Sequence, residues 1–304
     1  MKRTPCNILS LIVLLFFPGI SFAEPDYDKL KLIGPRYEKI QKSDLNLDWS
    51  SGYFYKSDDV EEGITNPAVN SEYTSLFTSR LFMSYGVSDS ISCHLGAPFI
   101  YIQEENSTQS DKNASGLGDL SAGVTWQKFS EAGALMLDLT YYNPTGKSPY
   151  KIDLANKLPT GNGVHSINPE IAFFKFLGPV VLYGIGDIEY SLPVNDLSQR
   201  RYDPNTYSNV LTKVEPGIVL GLNLGTAVDF SKTFSANWGL AFRQYEKSKY
   251  KWQGGYRTTE QSTTAYFYAG ATMTLNNYTF FPEVTIGTTD DSYDFGFSIR
   301  LPLL

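Results

Sequence analysis

Histidine and serine are the side chains of this sequence with the most obvious chemistry. His94 and His165 are the only histidines, and neither has a Cys or a second His at the spacing of a metal site. Ser166 follows His165 directly, so on a strand the two side chains point to opposite faces, whereas a nucleophile and its base need one face. We therefore predict no catalytic site, no metal and no cofactor, and keep a lipid-acting enzyme only as the weakest alternative.

Two other motifs contain residue types that bind phosphate or cations. The run Gly146-Lys147-Ser148 resembles the end of a phosphate-binding loop, but Tyr141 occupies the place of the first glycine and no helical pattern follows. The acidic run at 58–62 fits either a divalent-cation site near lipopolysaccharide or, far more commonly, a solvated loop. Neither motif predicts an active site.

The first 23 residues have the pattern of a cleaved signal peptide. Lys2 and Arg3 precede an apolar run at 8–20, and small residues end the segment at Ala23. The apolar run is shorter than the roughly 18 residues that a membrane-spanning helix needs. The sequence thus predicts an exported protein, and the net charge of −7 disfavours a nucleic-acid partner.

The remaining chain alternates with a period of two residues, which is typical of β-strands. In the last segment Phe295, Phe297 and Ile299 share one face, while Gly296 and Ser298 share the other. No helical periodicity stands out. Twelve strands are predicted, at about 44–55, 72–85, 90–102, 117–128, 134–143, 165–176, 180–191, 210–230, 234–245, 260–274, 278–287 and 295–301.

Short turns and long loops alternate between these strands. Turns of a few residues near 86–89, 130–133 and 177–179 are each followed, one strand later, by a much longer polar loop such as 144–164 or 192–209. This alternation is the pattern of a bacterial outer-membrane barrel, and an even strand count returns both termini to the periplasm. We predict an all-β, transmembrane, antiparallel up-and-down β-barrel over 44–304. The rival interpretation is a soluble β-sandwich whose aromatic side chains fill a core.

In such a barrel the apolar faces meet lipid and the polar faces line the lumen. The predicted outward set includes Leu95, Leu139 and Trp238, and Tyr and Trp residues near strand ends would form interfacial girdles. Charged side chains on the lumen faces either pair with one another or guide a solute, and the sequence allows both interpretations. The predicted lumen-lining charges are Arg80, Asp119, Asp138, Glu170, Lys213, Glu215, Asp229, Arg243, Glu283 and Arg300, with Asp48 and Glu72 beside them.

Residues 24–43 precede the first strand and carry no strand pattern. They fit either a plug folded into the barrel or a segment hanging in the periplasm, and a disordered tail is the default for such a terminus.

Several short motifs, taken in order over 44–301, resemble one outer-membrane family. They are Tyr85-Gly86-Val87-Ser88-Asp89, Ala97-Pro98-Phe99-Ile100, Ser115-Gly116-Leu117-Gly118-Asp119-Leu120, Asn143-Pro144-Thr145-Gly146 and Leu158-Pro159-Thr160-Gly161-Asn162-Gly163. They resemble outer-membrane transporters associated with the MetA pathway of phenol degradation, which are fatty-acid-channel-like β-barrels. The resemblance implies a barrel that admits hydrophobic or aromatic small molecules. The ending Leu301-Pro302-Leu303-Leu304 departs from it by lacking a terminal aromatic residue.

The sequence therefore predicts a porin-like channel or transporter for passive uptake of small hydrophobic or aromatic solutes across the outer membrane of a Gram-negative bacterium. Its expected partners are outer-membrane lipid, lipopolysaccharide, the barrel-assembly machinery and the solutes. A structural or adhesion barrel with a closed lumen is the alternative. Loop aromatics are expected to select or gate: Tyr202, Tyr207, Tyr250, Trp252 and Tyr256.

Overall fold

The computed structural model describes residues 30, 33–60, 70–106, 111–152, 157–203, 206–231, 233–275 and 278–304. The predicted signal peptide at 1–23 lies outside these ranges. Within them no helix is long and apolar enough to cross a membrane.

The described chain is built almost entirely of strands. A short 3₁₀ turn, Pro35–Tyr37, precedes them. The strands are β1 (Leu45–Val60), β2 (Asn70–Ser88), β3 (Ile91–Asn106), β4 (Lys112–Leu117), β5 (Leu120–Ser130), β6 (Gly133–Asn143), β7 (Ser166–Leu177), β8 (Val180–Ser191), β9 (Gln199–Asp203), β10 (Thr206–Glu215), β11 (Val219–Ser231), β12 (Phe234–Tyr245), β13 (Lys249–Trp252), β14 (Gly255–Thr258), β15 (Ser262–Leu275), β16 (Tyr278–Gly287) and β17 (Phe295–Pro302).

The main sheet closes on itself. Strand β1 pairs with β2 on one side and with the last strand, β17, on the other, and every pairing is antiparallel. Strands β4 and β5 together occupy one strand position of the barrel, because both pair with β3: β4 with residues 99–104 and β5 with residues 91–96. The result is a closed barrel with twelve strand positions, so the predicted fold and strand number are confirmed.

One predicted strand is wrong in its extent. The segment 210–230 divides at Pro216, with β10 before it and β11 after it. Strand β11 belongs to the barrel, whereas β10 joins β9, β13 and β14 in a separate four-stranded sheet made from two of the long loops. The two-residue alternation of apolar and polar side chains continues through Pro216, where the strand ends. The partners of a strand are set by tertiary contacts, and the alternation does not encode those contacts.

The two faces of the barrel have opposite polarity. Large apolar side chains on the outward face are exposed, for example Leu95, Leu139 and Trp238, while their strand neighbours His94 and Asp138 are buried. A soluble protein does not leave such a continuous apolar belt in water, whereas a closed barrel can present it to lipid because its backbone groups are all paired. The belt therefore confirms the predicted outward set and contradicts the soluble sandwich.

Candidate functional site

The described residues before β1 lie inside the barrel. We call Leu30 and residues 33–43 the N-terminal segment. Leu30 is fully buried in an apolar cluster with lumen-facing side chains of five strands, including Met136, Phe174 and Val181. The sequence favoured a disordered tail, because these residues show neither strand nor helix periodicity. Their structure comes from contacts with the wall and not from local propensity.

The base of the N-terminal segment is tied to the barrel by backbone hydrogen bonds. Ser43 N donates to Gly86 O at 2.8 Å, and Gly86 N donates to Asp44 O at 2.9 Å. A side chain at Gly86 would collide with the carbonyl of Gln41, so a glycine is required for this close approach. The side chain of Gln127 also donates to Ile40 O.

Higher in the lumen, Arg36 joins the segment to two carboxylates of the wall. Its guanidinium lies 3.6 Å from Asp138 Oδ1 and 3.5 Å from Glu170 Oε2. Tyr37 donates its hydroxyl proton to Glu170 Oε1 at 2.9 Å, and its ring packs on Phe174 at 5.5 Å between centroids. These contacts exchange the hydration of three charged groups for pairing, which makes the position of the segment specific.

Asp138 is the centre of this network. Its carboxylate is hydrogen-bonded to His94 Nε2 at 2.7 Å, to Thr125 Oγ1 at 2.7 Å and to Thr140 Oγ1 at 2.6 Å. The imidazole of His94 stacks on Phe82, and its Nδ1 is buried without a partner. His94 belongs to the lumen face by alternation, because its neighbour Leu95 is in the predicted outward set. Its place on the lumen face was correct, but its pairing with Asp138 depends on which strands are neighbours.

Other predicted lumen charges also pair. Arg300 lies 3.6 Å from Asp48, and Arg243 lies 3.4 Å from Asp187. Arg80 donates to the hydroxyl of Ser121 at 3.3 Å. These contacts favour the mutual-pairing reading. Asp187 and the nearby Glu189 were not among the predicted lumen charges, although both share the lumen face of β8 by alternation. Asp229 lies at the turn end of β11, on the strand face that it shares with the buried Ala227.

Lys213 and Glu215 are not lumen residues. They lie on β10 in the four-stranded loop sheet, and Lys213 Nζ is 2.6 Å from Glu215 Oε1. That hydrogen bond raises the pKa of Lys213 and lowers the pKa of Glu215. The lumen prediction for these two residues was wrong because the strand at 210–230 was taken to belong to the barrel over its whole length. The side chain of Glu72 lies outside the described residues.

Asp119 is a loop anchor and does not line the lumen wall. It sits between β4 and β5, where its carboxylate accepts hydrogen bonds from Gly146 N at 3.0 Å and Asn162 N at 2.6 Å. Both amides belong to the long loop between β6 and β7. One carboxylate therefore gathers the two ends of that loop, which is the physical role of the Gly-rich motifs around it.

We expect Asp119→Ala to loosen this loop while leaving the barrel folded. Two charge-assisted hydrogen bonds are lost, each of about 1.5–3 kcal/mol, and they lie outside the barrel wall. Limited proteolysis should cut 144–164 faster in the variant, with little change in the melting temperature. Asp111→Ala removes an exposed carboxylate as the control. Equal cleavage of both variants would contradict the anchoring role.

The predicted gating aromatics lie in different environments in the structure. Trp252 is buried with Leu197, Leu211 and Val214 in the core of the loop sheet, and Tyr250 packs beside it. They stabilise that sheet and do not face a path. Burial, and then the neighbouring Tyr250, raise the pKa of Tyr150, which sequence reasoning had not singled out. Tyr256 is exposed, and the side chains of Tyr202 and Tyr207 lie outside the described residues.

A cavity of about 430 Å³ lies in the lumen beside the N-terminal segment. A chain of hydroxyls forms part of its wall: the oxygens of Tyr183 and Tyr268 are 2.6 Å apart, and Tyr268 donates to Asn223 Oδ1 at 2.6 Å. The lining is mostly aromatic and aliphatic, with one carboxylate. It comprises Ile33, Phe54, Leu76, Tyr183, Asn223, Ala241, Tyr266, Tyr268, Glu283, Thr285 and Tyr293.

His165 and Ser166 do not form a catalytic pair. His165 is exposed and bonds through Nδ1 to the hydroxyl of Tyr141 at 2.6 Å, whereas Ser166 is buried. The two side chains point to opposite sides, as alternation predicted. Among the described residues, no three His, Cys, Asp or Glu side chains are grouped to hold a metal ion.

No protein-family model matches the chain. It is similar to the COG4313 outer membrane channel from Pseudomonas putida F1, with a TM-score of 0.65 and 16% identity over 94% of this chain and 98% of that chain. It is also similar to the translocator domain of autotransporter NalP from Neisseria meningitidis, with a TM-score of 0.53 and 10% identity over 91% of this chain and 94% of that chain. These are likenesses of fold. With its lipid-facing belt, the protein is a β-barrel of the bacterial outer membrane.

Proposed function

We propose that this outer-membrane barrel is a passive channel for small hydrophobic or aromatic solutes, closed at rest by its N-terminal segment. The observation that carries the proposal is the lumenal cavity, whose lining is largely apolar and aromatic although it lies in the interior of a barrel. A lumen that only had to be filled would not need such a space. Pockets of this size and lining accommodate small organic molecules.

The paired charges argue against a water-filled pore for ions. Arg300, Arg243 and Arg36 each lie within 4 Å of a carboxylate, so the lumen carries little uncompensated positive charge from them. A barrel of twelve strands is also intermediate in diameter between small barrels, which their own side chains fill, and large barrels, which enclose an open aqueous channel. The N-terminal segment then decides how much of the lumen is open.

The attachment of the N-terminal segment suits a movable plug. Ion pairs and side-chain hydrogen bonds hold Arg36 and Tyr37, whereas regular strand pairing with the wall begins only at Leu45. Contacts of this kind can be broken without unfolding the barrel. The fold shared with a protein described as an outer membrane channel supports the same function.

We expect Ala241→Trp to reduce solute entry, because Ala241 lines the cavity and an indole there fills it. The assay is uptake of radiolabelled naphthalene by porin-deficient cells that make the barrel, and a reduction of at least about threefold is expected from occupying most of such a pocket. Ala236→Trp, on the outward face of the same strand, is the matched control. Uptake that is the same with and without the wild-type barrel would contradict the channel.

The alternative of an adhesion barrel has one supporting observation, the four-stranded sheet that the long loops build around Trp252. Deletion of loop 192–209 distinguishes the two functions. Loss of surface binding with unchanged solute uptake would favour adhesion, and the opposite result would exclude it.

A further inference from the structure

We propose that the lumenal cavity is a recognition site for hydrophobic amines, with Glu283 pairing with the ammonium group and the aromatic side chains enclosing the apolar body. This inference rests on the proposed function, since it names the class of solute that the channel would prefer.

Glu283 is the one carboxylate among the described residues that line the cavity. It lies on the lumen face of β16, between Phe281 and Thr285. In the described part of the chain it makes no hydrogen bond and has no cation within 4.0 Å. A carboxylate that is withdrawn from bulk water and lacks a direct partner is costly, and a cation or strong donor that enters the cavity relieves that cost.

The basic side chain that acts on Glu283 is already engaged. Arg300 acts on Glu283 through space, but its guanidinium lies 3.6 Å from Asp48 Oδ1 and 3.9 Å from the centre of the Phe281 ring. Asp48 thereby compensates the charge of Arg300. The two accepting oxygens of Glu283 remain available to a ligand.

The cavity wall formed by Tyr183, Tyr268 and Asn223 offers few hydrogen-bond donors to an anionic ligand. Tyr268 uses its proton on Asn223 Oδ1, so Tyr183 supplies the proton for the bond between the two phenols. Of these three side chains only Asn223, through its amide N–H groups, is left to donate into the cavity. An anionic ligand would be repelled by the charge of Glu283, whereas an ammonium group has three donors and no acceptor to satisfy.

The aromatic lining complements this choice. Phe54, Tyr266, Tyr268 and Tyr293 surround the cavity together with Ile33 from the N-terminal segment. Faces of such rings attract ammonium groups, and the interaction is stronger when both are removed from water. A carboxylate and several aromatic rings around one apolar space are the elements of ammonium recognition, and the volume suits an aryl or short alkyl chain.

The test measures binding and not transport. Isothermal titration calorimetry of the detergent-solubilised full-length mature protein would compare 2-phenylethylamine with its neutral analogue 2-phenylethanol. Partitioning of each probe into detergent is the same for every variant and cancels. We expect the amine to bind at least about tenfold more tightly than the alcohol, and Glu283→Gln to remove most of that preference, as charge-assisted hydrogen bonds require.

Glu189→Gln is the matched control, because Glu189 also faces the lumen but lies outside the cavity, 3.9 Å from Arg243. It should keep the preference for the amine. Equal affinity for amine and alcohol, an unchanged preference in a folded Glu283→Gln variant, or no binding of either probe would each overturn this inference. None of those results touches the channel itself, which the naphthalene uptake assay decides separately.

Discussion

Deletion of residues 24–43 is expected to raise the single-channel conductance of the purified mature barrel by at least about threefold, the scale of opening a lumen otherwise occupied by protein. Leu30, Ile33 and Arg36 all lie against lumen-facing side chains or the cavity. Their removal leaves space that water can fill. Recordings in planar lipid bilayers, with wild type and deletion side by side, measure the effect.

A single substitution should reproduce part of this opening. Arg36→Ala leaves the carboxylates of Asp138 and Glu170 without the cation that neutralises them, and each then favours water over the N-terminal segment. We expect frequent brief openings. Lys42→Ala removes an exposed cation from the same segment and should behave as wild type. Identical recordings from wild type, deletion and Arg36→Ala would contradict the plug.

Asp138→Ala is expected to cause the largest loss of stability of any single lumen substitution discussed above, about 3–5 kcal/mol, because it removes one partner of a buried charged network. His94, Thr125 and Thr140 all bond to this carboxylate, and Arg36 lies beside it. The imidazole of His94 would then be buried without its acceptor, and the guanidinium of Arg36 would keep only Glu170. Urea unfolding in lipid vesicles, followed by tryptophan fluorescence, measures the change.

The control for this prediction is Glu131→Ala, which removes an exposed carboxylate from the turn between β5 and β6. It should change the free energy of unfolding by less than about 0.5 kcal/mol, as surface substitutions usually do. Asp138→Asn, which keeps one accepting oxygen, should fall between the two. A loss below about 1 kcal/mol for Asp138→Ala would show that the network contributes less than its burial implies.

The sequence by itself determined the barrel. A period of two residues places Leu95 outward and His94 inward wherever the strand lies, and the alternation of short turns with long loops orders the strands into an up-and-down sheet. Both signals are local, because they depend on the geometry of one strand and one connection at a time. That is why the fold and the lipid face were predictable.

Only the tertiary structure decided what occupies the lumen. The N-terminal segment has no periodicity of its own, and its place is set by Arg36 meeting Asp138 and Glu170 from two neighbouring strands. Alternation likewise continued from β10 into β11, although the two strands belong to different sheets. Alternation tells which face a residue takes, but the partner it meets across the lumen depends on the closure and register of the whole barrel, and no single segment contains that information.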